Sequence, residues 1–390
     1  MFEILTPLSP PLLATTSPEN GPMVMAGVLL SLVIVYIASK LGGELSKAVD
    51  LPPVLGELIA GVVVGVSALH LLMFPESGAT ASDSALMSVL QMVGNLTPEG
   101  MEEVFASQSE VVTVLAELGV IILLFEIGLE SDLRELQKVG YQAAIVAVVG
   151  VVAPFVLGTA GLMFFFNVSA IPAIFAGAAL TATSIGITSK VLSELGQLKS
   201  KEGQIIVGAA VIDDVLGIIV LAVVASLAKT GEVDVVNVVY LIGSATIFLL
   251  GSIFLGKFFN NSFVAISDKL QTRGNLVIPA LTFAFLMAFL ANVIQLEAIL
   301  GAFAAGLVLD ETDKRKELDK QVMPIADILV PIFFVTVGAK ADLSVLNPLV
   351  PENRAGLIIA AFLIAIAIVG KLVTGWSVFG QDKINRFAIG

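Results

Sequence analysis

The chain has 390 residues, of which 57% are hydrophobic and 14% are charged, and its formal net charge is -13. Soluble globular domains carry about 25% charged residues and few apolar runs near twenty residues, so the composition predicts a polytopic helical membrane protein. There is no Cys, and the single His is His70. The lack of Cys excludes disulfides, thiolate metal sites and Cys nucleophiles, and a single His leaves a His-based zinc cluster or a Ser-His-Asp triad almost nothing to build on. The acidic balance argues against a nucleic-acid partner.

Hydropathy predicts eleven helical segments after an exposed N-terminal tail at 1–22. In chain order the segments are 23–42, 54–73, 111–129, 141–166, 171–193, 204–228, 236–258, 275–295, a short one at 297–309, 324–339 and 356–377. Several prolines predict starts of such segments, where the missing N–H costs least: Pro52, Pro53, Pro172, Pro324 and Pro331.

The loop charges predict the orientation in the membrane. Alternate loops, beginning with the one after the first segment, hold 16 of the 20 Lys and Arg residues. By the positive-inside rule, the N-terminus lies outside and the chain end is cytoplasmic. The acidic stretch 75–110 is then an outside loop. Within it, residues 84–93 have apolar positions at helical spacing, which predicts either a helix on the membrane surface or a solvated loop helix.

The sequence contains an internal repeat. Val54–Val63 resembles Ile299–Val308, and Leu123–Leu133 resembles Phe333–Leu343. In the predicted topology the paired stretches run in opposite directions across the membrane. Inverted repeats are a structural basis of alternating access, so the repeat indicates a secondary transporter.

The repeat also predicts how the halves are organised. If segment 23–42 pairs with 275–295, then 236–258 is a linker helix between the halves. The segments from 141 to 228 then require partners beginning with 356–377 and continuing in two further segments. We therefore expect the full protein to continue beyond Gly390.

Asp213 and Asp214 lie side by side within an apolar segment. Each carboxylate at the centre of a membrane helix costs about 2.5 to 3.5 kcal/mol, which favours a functional role. Adjacent helical residues point about 100° apart, so the two cannot do the same task. An intramembrane aspartyl protease needs aspartates on separate helices, and a non-transporting scaffold would give these charges no role. A buried carboxylate that holds either a proton or a cation supports antiport.

Hydroxyl groups cluster halfway along the preceding segment, at Thr181, Thr183 and Ser184. This pattern predicts a helix interrupted where it lines a cavity, whose carbonyl and side-chain oxygens coordinate a small cation. The alternative is that the hydroxyls bond back to their own helix.

Three further charged residues lie in predicted membrane segments. Lys371 either pairs with an aspartate or extends to the cytoplasmic interface. Glu57 and Glu126 are interpreted as packing or gating residues rather than ion ligands.

Together these residues resemble the cation:proton antiporter-2 family. The resemblance rests on Val54-Leu-Gly-Glu-Leu-Ile-Ala-Gly, Phe125-Glu-Ile-Gly-Leu-Glu, Ala179-Leu-Thr-Ala-Thr-Ser, Asp213-Asp214, Gly301-Ala-Phe-Ala-Ala-Gly and Phe333-Phe-Val-Thr-Val-Gly. These stretches extend over nearly the whole chain. The acidic outside insertion is similar to that of cyanobacterial members.

The resemblance implies an all-α inverted-repeat antiporter fold of thirteen helices, about eleven of them in this chain, with two broken crossing helices. It implies a homodimer with a dimerisation domain from 23–129 and 275–339, and a core domain from 141–228 and 356–390. The second crossing helix would follow Gly390, in a Pro-Arg-Gly-Glu segment.

The resemblance also implies the chemistry. Asp214 is expected to be the main carboxylate for cation and proton, near Thr181, Thr183 and Ser184, with Asp213 paired to Lys371. Potassium efflux members typically have Gln at the first aspartate, so Asp213 favours Na⁺/H⁺ exchange, with K⁺/H⁺ antiport or K⁺ efflux as the alternative. We expect a transporter rather than an enzyme, without cofactors, that handles Na⁺, K⁺ or Li⁺ and H⁺ in a bacterial plasma membrane or a cyanobacterial thylakoid membrane.

Overall fold

The computed structural model describes residues 20–230, 232–348, 350, 353–378 and 385–390, and within these ranges it is helical without strands. The α-helices are α1 Gly21–Ala48, α2 Pro53–Val64, α3 Ala85–Gly94, α4 Pro98–Glu130, α5 Leu133–Phe166, α6 Ala170–Ala179, α7 Ile185–Glu194, α8 Lys201–Thr230, α9 Val235–Ser267, α10 Val277–Val293, α11 Ala298–Asp310, α12 Arg315–Lys340, α13 Asn353–Thr374 and α14 Arg386–Ile389. Most of the predicted tail, 1–19, lies outside the described residues.

Seven stretches of the described chain are helical, long and apolar enough to cross a bilayer. They are α1, α4, α5, α8, α12 and the stretches Val235–Ser252 and Asn353–Ser377. Five shorter apolar helices accompany them: α2, α3, α6, α10 and α11. The prediction of an all-helical integral membrane protein is confirmed.

The chain divides into two compact units. The first comprises Met1–Val120 and Ala326–Asn347, and the second comprises Ile121–Ile325 and Pro348–Gly390. A buried cluster in the first unit joins α1, α4 and α12, and a cluster in the second joins α5 to α8. The second unit therefore contains α10 and α11, which the sequence assigned to a dimerisation domain. The division into dimerisation and core domains remains a prediction.

The predicted segment 54–73 is too long. Helix α2 ends at Val64, and the chain turns back so that the Leu71 and Leu72 amides donate to the Val64 carbonyl. The turn begins at Gly65, where a Cβ would collide with Ala339. The apolar residues after the turn are buried in the first unit, Phe74 among them, so they form core rather than a membrane span.

The predicted segment 111–129 is too short, and the loop 75–110 is correspondingly too long. Helix α4 begins at Pro98, where Thr97 Oγ1 accepts from the Gly100 amide. A Thr-Pro-Glu start is a recognised N-terminal helix signal that hydropathy overlooks, because the first turns of α4 are polar.

Helix α3 confirms the helix expected within the acidic stretch. Ser84 caps it by accepting from the Met87 amide. Met87 is buried in the first unit, while Met92 on the other face is 84% exposed. Just before the helix, hydrogen bonds from the Thr80 amide and hydroxyl lower the pKa of Asp83. The segment is thus folded along its length.

Helix α12 starts nine residues before the predicted segment at 324. The charged turns from Arg315 continue the helix, so Pro324 and Pro331 lie inside it rather than at starts of segments. A segment predicted from hydropathy ends at charged residues, whereas the hydrogen bonding of a helix continues through them. Helix α9 likewise extends past the predicted end at 258, to Ser267.

The internal repeat reappears as a repeat of helix contacts. In the first unit Gly61 of α2 packs against Gly338 of α12, and a Cβ on Gly61 would lie 3.0 Å from the Gly338 Cα. In the second unit Gly306 of α11 packs against Gly128 of α4, and a Cβ on Gly128 would lie 2.9 Å from the Gly306 Cα. Only residues without side chains allow helices to approach so closely. The glycines aligned by the sequence repeat therefore make matching contacts.

A second pair of contacts supports the pairing of α1 with α10. Gly56 of α2 lies directly against Gly42 of α1, and Gly301 of α11 lies directly against Met287 of α10. Gly56 and Gly301 occupy equivalent places in the repeat. The two helix pairs therefore cross at corresponding points.

Candidate functional site

The helix predicted at 171–193 is interrupted in the middle, as the hydroxyl cluster predicts. Helix α6 ends at Ala179, α7 begins at Ile185, and residues 180–184 form a non-helical break between them. The break exposes backbone carbonyls at the C-terminal end of α6, where the helix dipole favours positive charge.

The three hydroxyls of the break do different things. Thr181 Oγ1 donates back to the Ala178 carbonyl at 2.8 Å, and Ser184 Oγ caps α7 by accepting from the Ile187 amide at 3.3 Å. These two fit the alternative in which hydroxyls serve their own helix. Thr183 Oγ1 instead accepts a hydrogen bond from Lys371 Nζ at 2.5 Å. The structure thus brings the Thr183 side chain, and not those of Thr181 or Ser184, to a charged partner.

Asp213 and Asp214 lie in α8, which packs along α5. Asp213 is only 4% exposed, and its carboxylate faces Thr183 and Lys371. Asp214 Oδ2 is buried and lacks a hydrogen-bond partner within the described ranges. Two acidic side chains interact electrostatically with Asp214: the adjacent Asp213, and Glu297, which precedes α11. Buried carboxylates without donors are costly unless a cation or a proton compensates them.

Lys371 of α13 points into the second unit. Its Nζ donates to Thr183 Oγ1, to the Thr181 carbonyl at 3.2 Å and to the Gly150 carbonyl at 3.3 Å. It forms an ion pair with Asp213 Oδ2 at 3.6 Å. The ammonium is therefore directed at the break and at α8 rather than at the end of its own helix.

A cavity of about 230 Å³ lies at this point in the second unit. Asp213, Thr183, Lys371 and Gly150 line it together with small apolar residues of α5 and α8. Asp214 is not part of this lining, in keeping with the angle between adjacent helical residues. The space is sufficient for several water molecules or a partly hydrated cation.

The remaining predicted carboxylates lie elsewhere. Glu57 accepts a hydrogen bond from the Ser39 hydroxyl at 2.8 Å and belongs to the first unit. Glu126 is half-buried in α4. These positions agree with a packing role and leave gating untested.

Sequence reasoning missed two residues of the site, Gly150 and Pro154. Pro154 lies inside α5, and its ring carbon Cγ would be 2.8 Å from a Cβ on Gly370, next to Lys371. A proline within a long apolar segment was the available signal, since it withdraws the donor of one helical hydrogen bond.

The chain matches a family model described as "Sodium/hydrogen exchanger, transmembrane" over residues 27–388. It is 61% identical to the high-affinity Na⁺/H⁺ antiporter NhaS3 of Synechocystis, over 99% of this chain and 85% of that one. It is 31% identical to the Na⁺/H⁺-K⁺ antiporter GerN of Bacillus cereus, over 88% of this chain and 77% of that one.

A solved structure shares the fold. The sodium proton antiporter MjNhaP1 from Methanocaldococcus jannaschii, at pH 8, superposes with a TM-score of 0.58. The match covers 92% of this chain and 80% of that chain at 15% sequence identity. With helical membrane architecture, a broken helix in the same unit as two adjacent intramembrane aspartates and a family match along almost all of its length, this chain belongs to the transmembrane sodium/hydrogen exchanger family.

Proposed function

We propose that this protein exchanges Na⁺ for H⁺ across a membrane, with Asp214 as the carboxylate that takes either ion. One observation carries the proposal: of two adjacent aspartates, Asp213 lies in an ion pair with Lys371, whereas the buried Oδ2 of Asp214 has no hydrogen-bond partner among the described residues. A carboxylate left in this state requires a positive charge. A proton and a sodium ion are alternative ways to supply it.

Competition for one carboxylate couples the two ions. When a proton leaves Asp214, the site attracts Na⁺, and when Na⁺ leaves, the proton returns. Asp213 would help to bind the cation as Lys371 moves away, assisted by oxygens of the break that include Thr183 and the carbonyl of Thr181. The inverted repeat supplies a route to alternating access, in which the two halves exchange conformations around the site.

The relatives support the choice of sodium. NhaS3 and GerN both carry Na⁺/H⁺ antiport in their names, and the identity to NhaS3 is high over nearly the entire chain. GerN also carries K⁺, so K⁺/H⁺ antiport is the second candidate. We further propose a homodimer with its N-terminus outside, in a bacterial plasma membrane or a cyanobacterial thylakoid membrane.

The test is proton movement in everted vesicles that carry the full-length protein. Na⁺, K⁺ and Li⁺ are added in turn between about pH 6.5 and pH 9, and dequenching of a pH-sensitive dye reports proton release. We expect responses to Na⁺ and Li⁺ and none to K⁺. A response to K⁺ alone would establish the second candidate, and no response to any cation would reject antiport.

A further inference from the structure

Helix α5 contains a proline where a helix tolerates it poorly. Pro154 has no N–H, so the carbonyl four residues earlier, at Gly150, loses its helical donor, at a cost of about 3 kcal/mol to the helix. Membrane helices keep such prolines where neighbouring groups satisfy the released carbonyl. In this protein the group that does so is the ammonium of Lys371, which donates to the Gly150 carbonyl at 3.3 Å.

Lys371 and Thr374 lie directly against Gly150. A Cβ on Gly150 would lie 3.7 Å from Lys371 Nζ and 3.4 Å from Thr374 Cγ2, which are ordinary van der Waals distances. The ring of Pro154 packs on Gly370, where a Cβ would lie 2.8 Å from Pro154 Cγ. Pro154 thus packs beside Lys371, against Gly370. It also frees the Gly150 carbonyl, which accepts a hydrogen bond from the Lys371 ammonium.

The ammonium has three donors, and three neutral oxygens take them. These are the Gly150 carbonyl, the Thr181 carbonyl and Thr183 Oγ1. Asp213 Oδ2 lies farther from the ammonium than any of these three oxygens, at 3.6 Å. The lysine therefore compensates the carboxylate through its charge, while its shorter contacts are with neutral oxygens.

We propose that Pro154 is a positioning residue for sodium binding. By releasing the Gly150 carbonyl, it completes a set of three neutral acceptors that holds the Lys371 ammonium off Asp213 and leaves that carboxylate open to Na⁺. The inference rests on the proposed Na⁺/H⁺ exchange and assigns a part in it to residues on α5. If the acceptor at Gly150 is removed, one donor of Lys371 is freed, and Asp213 is the acceptor that remains in reach.

The test variant is Pro154→Ala in the full-length protein. Alanine restores an N–H that can bond to the Gly150 carbonyl, and it is the best helix former, so we expect the variant to fold. Na⁺ affinity is measured in two ways: by Na⁺-dependent thermal stabilisation of purified protein, and by the KM for Na⁺ in everted vesicles at fixed pH. Loss of one hydrogen bond to a charged group predicts a rise of about tenfold in the dissociation constant from thermal stabilisation and in the KM for Na⁺, with a much smaller change in kcat. Pro154→Ser, which restores the same N–H, should behave alike.

Two controls separate positioning from general effects of a missing proline. Pro324→Ala removes an exposed proline from the interior of α12, away from the cavity, and should leave Na⁺ affinity unchanged. In a Lys371→Gln background the competing ammonium is gone, so Pro154→Ala should no longer weaken Na⁺ binding.

The outcomes divide cleanly. An unchanged affinity in Pro154→Ala, or an equal loss with and without Lys371, would overturn the positioning role while leaving Na⁺/H⁺ exchange intact. If the parent protein shows neither exchange nor stabilisation by Na⁺, the proposed function itself fails.

Discussion

Lys371 Nζ lies 2.5 Å from Thr183 Oγ1 and 3.6 Å from Asp213 Oδ2, so the lysine is held more closely by a neutral hydroxyl than by its ion-pair partner. The neutral oxygens therefore share the ammonium with the carboxylate. We expect mutations that change either of these two contacts of Lys371 to change the affinity for Na⁺.

Removing the hydroxyl should weaken sodium binding. Thr183→Val keeps the shape of the side chain and deletes the acceptor, so Lys371 should move towards Asp213 and raise the KM for Na⁺ by about tenfold. Thr183→Ser retains the acceptor and should stay close to the parent protein. Exchange kinetics in everted vesicles measure both, and an unchanged KM in Thr183→Val would contradict the assignment.

Ser184→Ala should act on stability instead of on sodium affinity. Its hydroxyl caps α7, and loss of such a cap costs about 1 kcal/mol. We expect a lower Tm by differential scanning fluorimetry with an unaltered KM for Na⁺. A selective rise in KM would show that Ser184 binds the ion, as the sequence analysis expects.

The two aspartates should differ when each is neutralised. Asp214→Asn removes the carboxylate that alternates between ions, so exchange should disappear while the protein still inserts into the membrane. Asp213→Asn leaves Lys371 without its ion-pair partner, and residual exchange with altered charge movement is expected. Vesicle dequenching and currents from proteoliposomes test the pair, and full exchange by Asp214→Asn would refute the site.

Lys340 should anchor the acidic segment after α2. Its Nζ donates to Glu76 Oε2 at 2.6 Å and to Thr113 Oγ1 at 3.3 Å, and it lies 4.9 Å from the centroid of the Phe74 ring. Lys340→Met should cost about 1 kcal/mol or less, because Glu76 is largely exposed. Hydrogen exchange should accelerate in residues 75–83. Protection equal to that of the parent protein would show that the segment holds itself in place.

The sequence predicted the membrane helices and the broken helix because their signals are local. Apolar runs, loop charges and clustered hydroxyls can be recognised without knowing the partner of any residue. Errors arose where the signal depends on contacts. The apolar residues after Val64 pack against α1, α4 and α12 instead of forming a membrane span. The polar first turns of α4 are helical because Thr97 and Pro98 start them. Hydropathy contains neither kind of information.

The charged residues of the candidate site could be predicted from the sequence, but their hydrogen-bond partners could not. Asp213, Asp214 and Lys371 stand out because charge is expensive within a membrane segment. The neutral acceptors do not stand out. A backbone carbonyl carries no sequence signature, and the release of the one at Gly150 depends on a proline four residues away. Thr183 contacts Lys371 whereas Thr181 and Ser184 bond to their own helices, and this depends on the direction in which each side chain points from the break.

The two glycine crossings are related by the sequence repeat. A contact in which residue i meets residue j, and j meets i, is the mark of a two-fold symmetric dimer. Gly61 meets Gly338, and its counterpart Gly306 meets Gly128, the counterpart of Gly338. Two copies of a half-length chain, paired by a two-fold axis, would make both contacts with one pair of glycines. The present chain makes the corresponding glycine contact once in each of its two units, between helices that the sequence repeat aligns.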